Sequence, residues 1–366
     1  MGTELSIIIP TFNERDNVSE LVRRLDECLS DIDWEVIFVD DDSPDGTAQA
    51  VRTLAQQHSR VRCLQRLGRR GLTTACVEGM LASSAPYLAV MDGDLQHDEQ
   101  LLPEMLAQLK NDELDLVIGS RYADGGDTAG LSEDRLQKSL LAIRLSRKFV
   151  PAELKDPMSG FFVLRRTVLD QTARRLSGIG FKILLDIFAS SPTPLRFREL
   201  PYHFRERRTG QSKLDNQVVW DYLMLLLDKF IGHLLPVRFV AFLLVGSTGV
   251  AVHMAALGLL LQGLKLTFVV AQAAATLIAM TSNYALNNIL TYHDRRLHGL
   301  AWWRGWLSFS IVCSIGAMAN VGVASYLFSQ NTMWALAGLA GVLIGVVWNY
   351  VVTREYTWKV AGQRHE

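Results

Sequence analysis

Cysteine is scarce in this 366-residue chain, and Cys28, Cys63, Cys76 and Cys313 share no paired spacing, which argues against a disulfide framework or a thiolate zinc site. An excess of charge is missing as well. The 37 Lys and Arg nearly balance the 38 Asp and Glu, for a net charge of −1, so the balance implies no basic surface for a polyanion and no nucleic-acid partner. The opening residues, MGTELSIIIP, lack the basic start and long apolar core of a signal peptide, so the soluble part is expected in the cytoplasm. Long apolar stretches are absent before Leu234 and dominate after it, which divides the chain in two.

In the first part, short apolar runs alternate with helical patterns. Leu5 to Ile9 reads as a buried strand stopped by Pro10, and Val18, Leu21, Val22, Leu25 and Leu29 recur at helical spacing behind it. Glu35 to Val39, Val61 to Leu64, Tyr87 to Met91 and Leu116 to Ile118 are further strands, with helices from Thr47, over Thr73 to Leu81 and over Leu101 to Leu109. This alternation predicts a largely parallel sheet with helices on both faces, whose ligands bind beyond the carboxyl ends of the strands. Three polar clusters fall at such ends: Thr11 to Glu14, Asp40 to Asp42, and Asp92 to Gln96. In the last of these, Asp92 and Asp94 flank Gly93 at a bend, so their carboxylates can converge on a hard divalent cation, Mg2+ or Mn2+, with Gln96 as a third oxygen donor.

A strandless region, Asp124 to Val150, becomes a basic amphipathic helix suited to an anionic membrane surface. Lys155 to Phe162 is a turn feeding a strand, Phe181-Lys182-Ile183-Leu184 opens a helix, and Arg196 to Leu200 is a last strand. The run from Arg205 to Lys213 puts basic side chains around Gly210, a composition that suits phosphate. Val218 to Leu235 is interrupted by Asp221 and Asp228 on one helix face; it is too polar to cross a bilayer and reads as an interfacial helix.

Four crossings follow, Val237 to Leu261, Phe268 to Leu290, Trp306 to Phe328 and Trp334 to Val352, each near the roughly 20 residues a bilayer requires. Arg295, Arg296 and Arg304 lie between the second and third crossings, and Arg354, Lys359 and Arg364 follow the fourth. The other loops carry only Lys265. The positive-inside rule then places the catalytic part and both termini in the cytoplasm, on a multi-pass protein of the cell membrane. Asn283-Tyr284 followed by Thr291-Tyr292 is echoed by Asn349-Tyr350 followed by Thr357-Trp358, a weak internal repeat.

Taken together, IIIPTFNE, VDDDSPDGT, MDGDLQH, GSRY, KDPMSGFF and the R-x-x-G-x-S-K run resemble glycosyltransferase family 2, in particular dolichol- or polyprenol-phosphate mannose synthases, over about residues 5–230. The four-crossing tail resembles GtrA-type membrane domains. The resemblance implies an α/β catalytic domain of GT-A type, the Rossmann-like nucleotide-diphosphosugar transferase fold, over residues 1–214. It further implies an interfacial helix over 215–235 and an all-α transmembrane domain over 236–366. GDP-mannose would be the donor, polyprenyl or dolichyl phosphate the acceptor, and Mg2+ or Mn2+ the cofactor. Pro10, Phe12, Glu14, Val39, Asp41, Gly93 and Lys182 would line the nucleotide-sugar site, and Asp92, Asp94 and Gln96 would hold the metal. Arg121, Arg207 and Lys213 would meet phosphate charge, and Arg121, Arg135 and Ser139 the acceptor phosphate. The family often has Tyr in place of Phe12, Gly in place of Asp42, and Pro-Pro in place of Asp98-Glu99. A UDP-glucose-dependent transferase shares nearly all these motifs, and a lipid-sugar carrier with a degenerate transferase domain is the rival from another class. The Q-x-x-R-W signature of processive synthases is absent.

Overall fold

The structure, a computed structural model, describes residues 2–125, 144, 146–147, 150–151, 153–205, 216–232 and 234–358. It divides into two compact units, residues 1–230 and 231–366.

The first unit is built on a seven-stranded sheet in the order β3-β2-β1-β4-β6-β5-β7. The strands are β1 Leu5–Thr11, β2 Trp34–Asp40, β3 Val61–Gln65, β4 Tyr87–Val90, β5 Leu116–Ser120, β6 Phe162–Arg165 and β7 Phe197–Pro201. Helices α1 Val18–Cys28, α2 Thr47–Ala55, α3 Leu72–Ala82, α4 Leu102–Asn111, α5 Arg166–Thr172, α6 Ile183–Ser190 and α7 Asn216–Ile231 surround it. Two buried clusters explain why the strands read as continuous apolar runs. Ile8, Ile37 and Val90 pack with α3, α5, α6 and α7 on one face. Ile7, Ile9, Val36 and Phe38 pack with α1, α2 and α4 on the other. A strand covered on both sides has no solvent face to show polarity.

The sheet is largely parallel, as expected, and shows two features that the sequence does not. Strand β6 runs antiparallel to both β4 and β5, whereas the pairs β1–β2, β1–β4, β2–β3 and β5–β7 are parallel. Its start, not its end, therefore reaches the edge where the parallel strands finish. Pro10 does not stop β1, which continues to Thr11 in register with Asp40. On the β4 side pairing ends at Ile8 with Val90, so the amide that proline lacks falls where no ladder partner is needed.

Helix α7 buries Tyr222, Met224 and Leu225, while Leu223 and Phe230 are exposed. Asp221 is only 2% exposed, so the polar stripe seen in sequence is not a solvent face. Lys229 Nζ reaches Asp186 Oδ1 at 2.5 Å, and Asp186 also accepts from Ser177 N and Oγ, Gly178 N and Ser190 Oγ. A fully buried carboxylate with this many donors pins α7 to α6.

Among its described residues the second unit holds four helices long and apolar enough to cross a membrane, spanning Val237–Gly263, Phe268–Thr291, Gly299–Ser329 and Leu336–Thr357. Its α-helical parts are α8 Val237–Gly258, α9 Phe268–Leu286, α10 Gly299–Ser329 and α11 Trp334–Val352. The third begins seven residues before the expected Trp306, because Gly299 to Gly305 continue the helix. The repeat is structural. Helices α9 and α11 each end in a π-helical turn, at Asn287–Thr291 and Thr353–Thr357. Asn283 packs where a side chain on Gly249 would collide with it, and Asn349 does the same at Gly316. Both amide oxygens are enclosed without a hydrogen-bond partner among the described residues. Tyr284 packs on Phe309 at 5.6 Å, and Tyr350 packs on Phe242 at 5.7 Å, each tyrosine on the phenylalanine of the other hairpin. Tyr292 and Trp358, equivalent in the two copies, stack at 4.1 Å and 7°. Such reciprocal contacts are those of two like hairpins about an approximate two-fold axis.

Candidate active site

The carboxyl ends of β1 and β2 are stitched together. Asn13 N donates to Ser43 Oγ, Glu14 N to Thr47 Oγ1 and Arg15 N to Asp45 Oδ2. Pro10, Phe12, Glu14, Val39 and Asp41 thus occupy adjoining strand ends. The Arg70 guanidinium lies 4.3 Å over the Phe12 ring. Asp41 accepts from Arg66 Nη1 at 2.7 Å and Gly71 N at 2.6 Å. Burial pushes its pKa above the ordinary carboxylate range, against the pull of these donors.

Beyond β4 the chain turns through Asp92-Gly93-Asp94, and Leu95 is held at φ +64°, left-handed backbone unusual for a leucine. Asp92 N donates to His97 Nδ1 at 3.1 Å, which fixes the loop on a buried imidazole stacked on Phe161. Asp94 Oδ1 accepts from Gln96 N at 3.2 Å. The Asp92 carboxyl is pushed above its usual range by burial and by Asp94, and His97, Lys182 and Arg121 oppose the shift. A Cβ at Gly160 would stand 3.2 Å from Asp92 Oδ2, so glycine keeps the space before that oxygen clear.

Arg121, just after β5, donates from Nε and Nη2 to Asp156 at 2.8 and 2.9 Å, a side-on fork to a wholly buried carboxylate. Asp156 N and Lys155 N in turn donate to Glu199 of β7. The antiparallel β6 explains the meeting, since its leading turn arrives beside the end of β5. Lys182, at the start of α6, donates to Met158 O at 3.4 Å. Burial and the Arg121 charge hold its pKa down to about 8, with Asp156 and Asp92 acting in opposition.

Asp94, Arg121 and Lys182 therefore stand close enough to Asp92 for their charges to act on its carboxyl. Among the described residues no three His, Cys, Asp or Glu form a metal cluster. Asp92, whose oxygens face the space kept clear by Gly160, with Asp94 and Gln96 following on the same turn, nonetheless makes a donor set that fits Mg2+ or Mn2+, which take one or two carboxylates and complete their shell with water and phosphate oxygen. Arg135, Ser139, Arg207 and Lys213 lie outside the described residues, as does nearly all of the basic helix expected over Asp124 to Val150. Arg205, grouped by sequence with the phosphate run, is instead paired to Asp98 and Glu99. Asp156, Arg66 and His97 carry no role in the sequence reading; for Asp156 the signal was the KDPMSG turn itself.

Residues 6–172 match glycosyl transferase family 2, and residues 241–358 match the GtrA/DPMS transmembrane domain. A dolichol-phosphate mannosyltransferase of Pyrococcus furiosus is 33% identical, covering 97% of this chain and 99% of its own length. The chain belongs to the dolichol-phosphate mannosyltransferases of glycosyl transferase family 2. The enzyme of that name from Saccharomyces cerevisiae is 35% identical, over 63% of this chain and 88% of its own. Among solved structures, glucosyl-3-phosphoglycerate synthase of Mycobacterium tuberculosis, in complex with Mn2+, uridine diphosphate and phosphoglyceric acid, is 18% identical. It covers 62% of this chain and 79% of that one at a TM-score of 0.45, too slight a likeness to bear on the site. This family member is a glycosyltransferase and a multi-pass membrane protein, with a GT-A-like mixed sheet and an all-α membrane unit.

Proposed function

We propose that the enzyme transfers mannose from GDP-mannose to a polyprenyl or dolichyl phosphate. The observation that carries this reading is the full-length match to a dolichol-phosphate mannosyltransferase, which includes both the acidic sheet edge and the membrane unit. The acceptor is already ionised near neutral pH and is its own nucleophile, so no catalytic base is needed. A phosphate oxygen attacks the anomeric carbon as the bond from that carbon to the diphosphate oxygen breaks, and GDP departs. In-line displacement inverts the centre, so an α-linked donor yields a β-linked lipid phosphate.

The chain's part is placement and charge. Asp92, Asp94 and Gln96 would hold Mg2+ or Mn2+, which when bound supplies Lewis-acid stabilisation of the leaving diphosphate. Lys182 adds positive charge to the same side. Arg121, already oriented by Asp156, retains Nη1 hydrogens for a phosphate, and Arg135 and Ser139 would complete the acceptor grip. Pro10, Phe12, Glu14, Val39 and Asp41 would receive the nucleoside, and Arg207 and Lys213 the diphosphate. Residues 215–235 would lie at the bilayer surface, with the exposed Leu223 and Phe230 toward lipid. The catalytic unit and both termini would face the cytoplasm of the cell membrane.

A donor screen tests the reading. Membranes containing the protein, supplied with polyprenyl phosphate and either GDP-mannose or UDP-glucose, should label lipid from the first and not the second. Labelling from UDP-glucose alone would replace the donor, and labelling from neither would support the carrier reading.

A further inference from the structure

One residue just beyond β7, Arg205, holds the four residues from Gln96 to Glu99. Arg205 N donates to Gln96 O at 3.0 Å, and Gln96 Nε2 donates back to Arg205 O at 2.9 Å. The Arg205 guanidinium donates from Nη1 to His97 O at 3.2 Å and to Glu99 Oε2 at 2.6 Å, and from Nη2 to Asp98 Oδ1 at 2.7 Å. Every residue from Gln96 to Glu99 is thereby fixed by Arg205. Glu99 is 3% exposed, with its other oxygen 3.4 Å from Arg24 Nη1, so the anchor is itself anchored.

Two consequences reach the acidic pair. With Nε2 committed to a carbonyl, the Gln96 amide can turn only its Oε1 toward a cation. The strained Leu95 must also be held by its surroundings, because a branched side chain at positive φ persists only where neighbours enforce it. Gln96 N and His97 Nδ1, which flank the strain on its far side, bind Asp94 and Asp92 directly.

We propose that Arg205 is a positioning residue for the divalent-cation site, stapling residues 96–99 so that Asp92, Asp94 and Gln96 present their oxygens together. This rests on the metal reading given above. The staple and simple electrostatics predict opposite signs. Removing a positive charge near a cation site should tighten cation binding, whereas losing the staple should weaken it.

The test is Mn2+ binding to the purified full chain with saturating GDP, followed by the electron paramagnetic resonance signal of free Mn2+. Arg205→Met is expected to weaken Mn2+ binding about tenfold or more, the usual cost of losing an outer-shell partner, while metal-free GDP binding changes less than twofold. Arg205→Lys keeps the charge and most of the bulk but not the fork, so it should also weaken Mn2+, and it serves as the deciding variant if Arg205→Met does not fold. Mn2+ affinity unchanged or tightened in the folded variant, whatever its Tm, overturns the staple and leaves the metal site standing. A wild-type chain that binds no Mn2+ overturns the metal reading itself.

Discussion

In residues 1–230 charged side chains are buried in pairs: Arg121 with Asp156, Arg66 with Asp41, and Lys229 with Asp186. In the membrane unit the charged residues within the four spans sit near span ends, at Arg238, Arg304, Arg354 and Glu355, and the Arg354–Glu355 pair is exposed. Its interior contacts include glycine against asparagine, ring against ring, and neutral hydrogen bonds such as Trp348 Nε1 on Val312 O at 3.3 Å and Trp358 Nε1 on Asn288 Oδ1 at 3.1 Å. The contrast follows from the solvent each unit displaces. A sheet buried on both faces can accommodate a charge if a fork of donors meets it, whereas in hydrocarbon close backbone approach and aromatic packing serve instead. The sheet edge that carries Asp92 and Asp94 uses the first solution, with Arg121 preset on Asp156.

The comparison breaks most visibly at the acidic pair. Asp92→Asn and Asp94→Asn should each lower kcat about a thousandfold, the several kcal/mol a metal contributes, with thermal unfolding little changed because neither carboxylate supports the core. Full activity of either variant, or of the wild type in excess chelator, would remove the metal from the mechanism. Next in size is Asp156→Asn. It leaves the Arg121 guanidinium buried opposite a neutral amide, and a one-sided break of a buried pair costs about 3–5 kcal/mol. A chemical-denaturation midpoint equal to the wild type would show that the pair bears no weight.

The membrane unit should answer to volume rather than charge. Gly249→Val and Gly316→Val each drive a side chain into the asparagine of the neighbouring helix, so each should destabilise the unit by about 1–3 kcal/mol. The approximate two-fold predicts similar losses in detergent melting curves, and a large loss in one with none in the other would contradict it.

A pH effect separates the units further. Burial holds the Lys182 pKa down to about 8 rather than its ordinary 10.5, so above pH 8 the chain loses a positive charge beside Asp92. Donor KM should rise through that range, and Lys182→Met should abolish the step. The stability sign is opposite. The unfolded amine holds its proton more tightly, so its burial penalty is full below about pH 8 and is relieved between 8 and 10.5. A flat donor profile would show that Lys182 does not meet the diphosphate. The smallest effect belongs to the exposed Arg196 with Glu113 and Asp115, where Arg196→Ala should leave the denaturation midpoint close to that of the wild type. A larger loss there would mean that burial is not what gives the other pairs their weight.

The strands and their acidic ends were legible because each lies in one stretch of sequence, where an apolar run meets a polar corner. What was not legible depends on partners far apart in the chain. The direction of β6 is fixed by pairing with β4 and β5, and only that direction puts Asp156 beside Arg121. Pro10 reads as a stop because sequence does not show that β4 has already ended beside it. Arg205 looks like one more cation in a basic run, since nothing local says that Asp98 and Glu99 are its partners. Asp221 marked a polar face on its helix, and that face is turned inward.

The product shows whether the lipid phosphate is the attacking group in an in-line displacement. Purified full-length protein, given GDP-mannose, Mg2+ or Mn2+ and polyprenyl phosphate, should form a mannosyl phosphate lipid whose anomeric configuration is read by nuclear magnetic resonance. In-line attack by the phosphate predicts β-mannose on the phosphate and no transfer to the corresponding free polyprenol. An α-linked product, transfer to the free alcohol, or no transfer at all would contradict it.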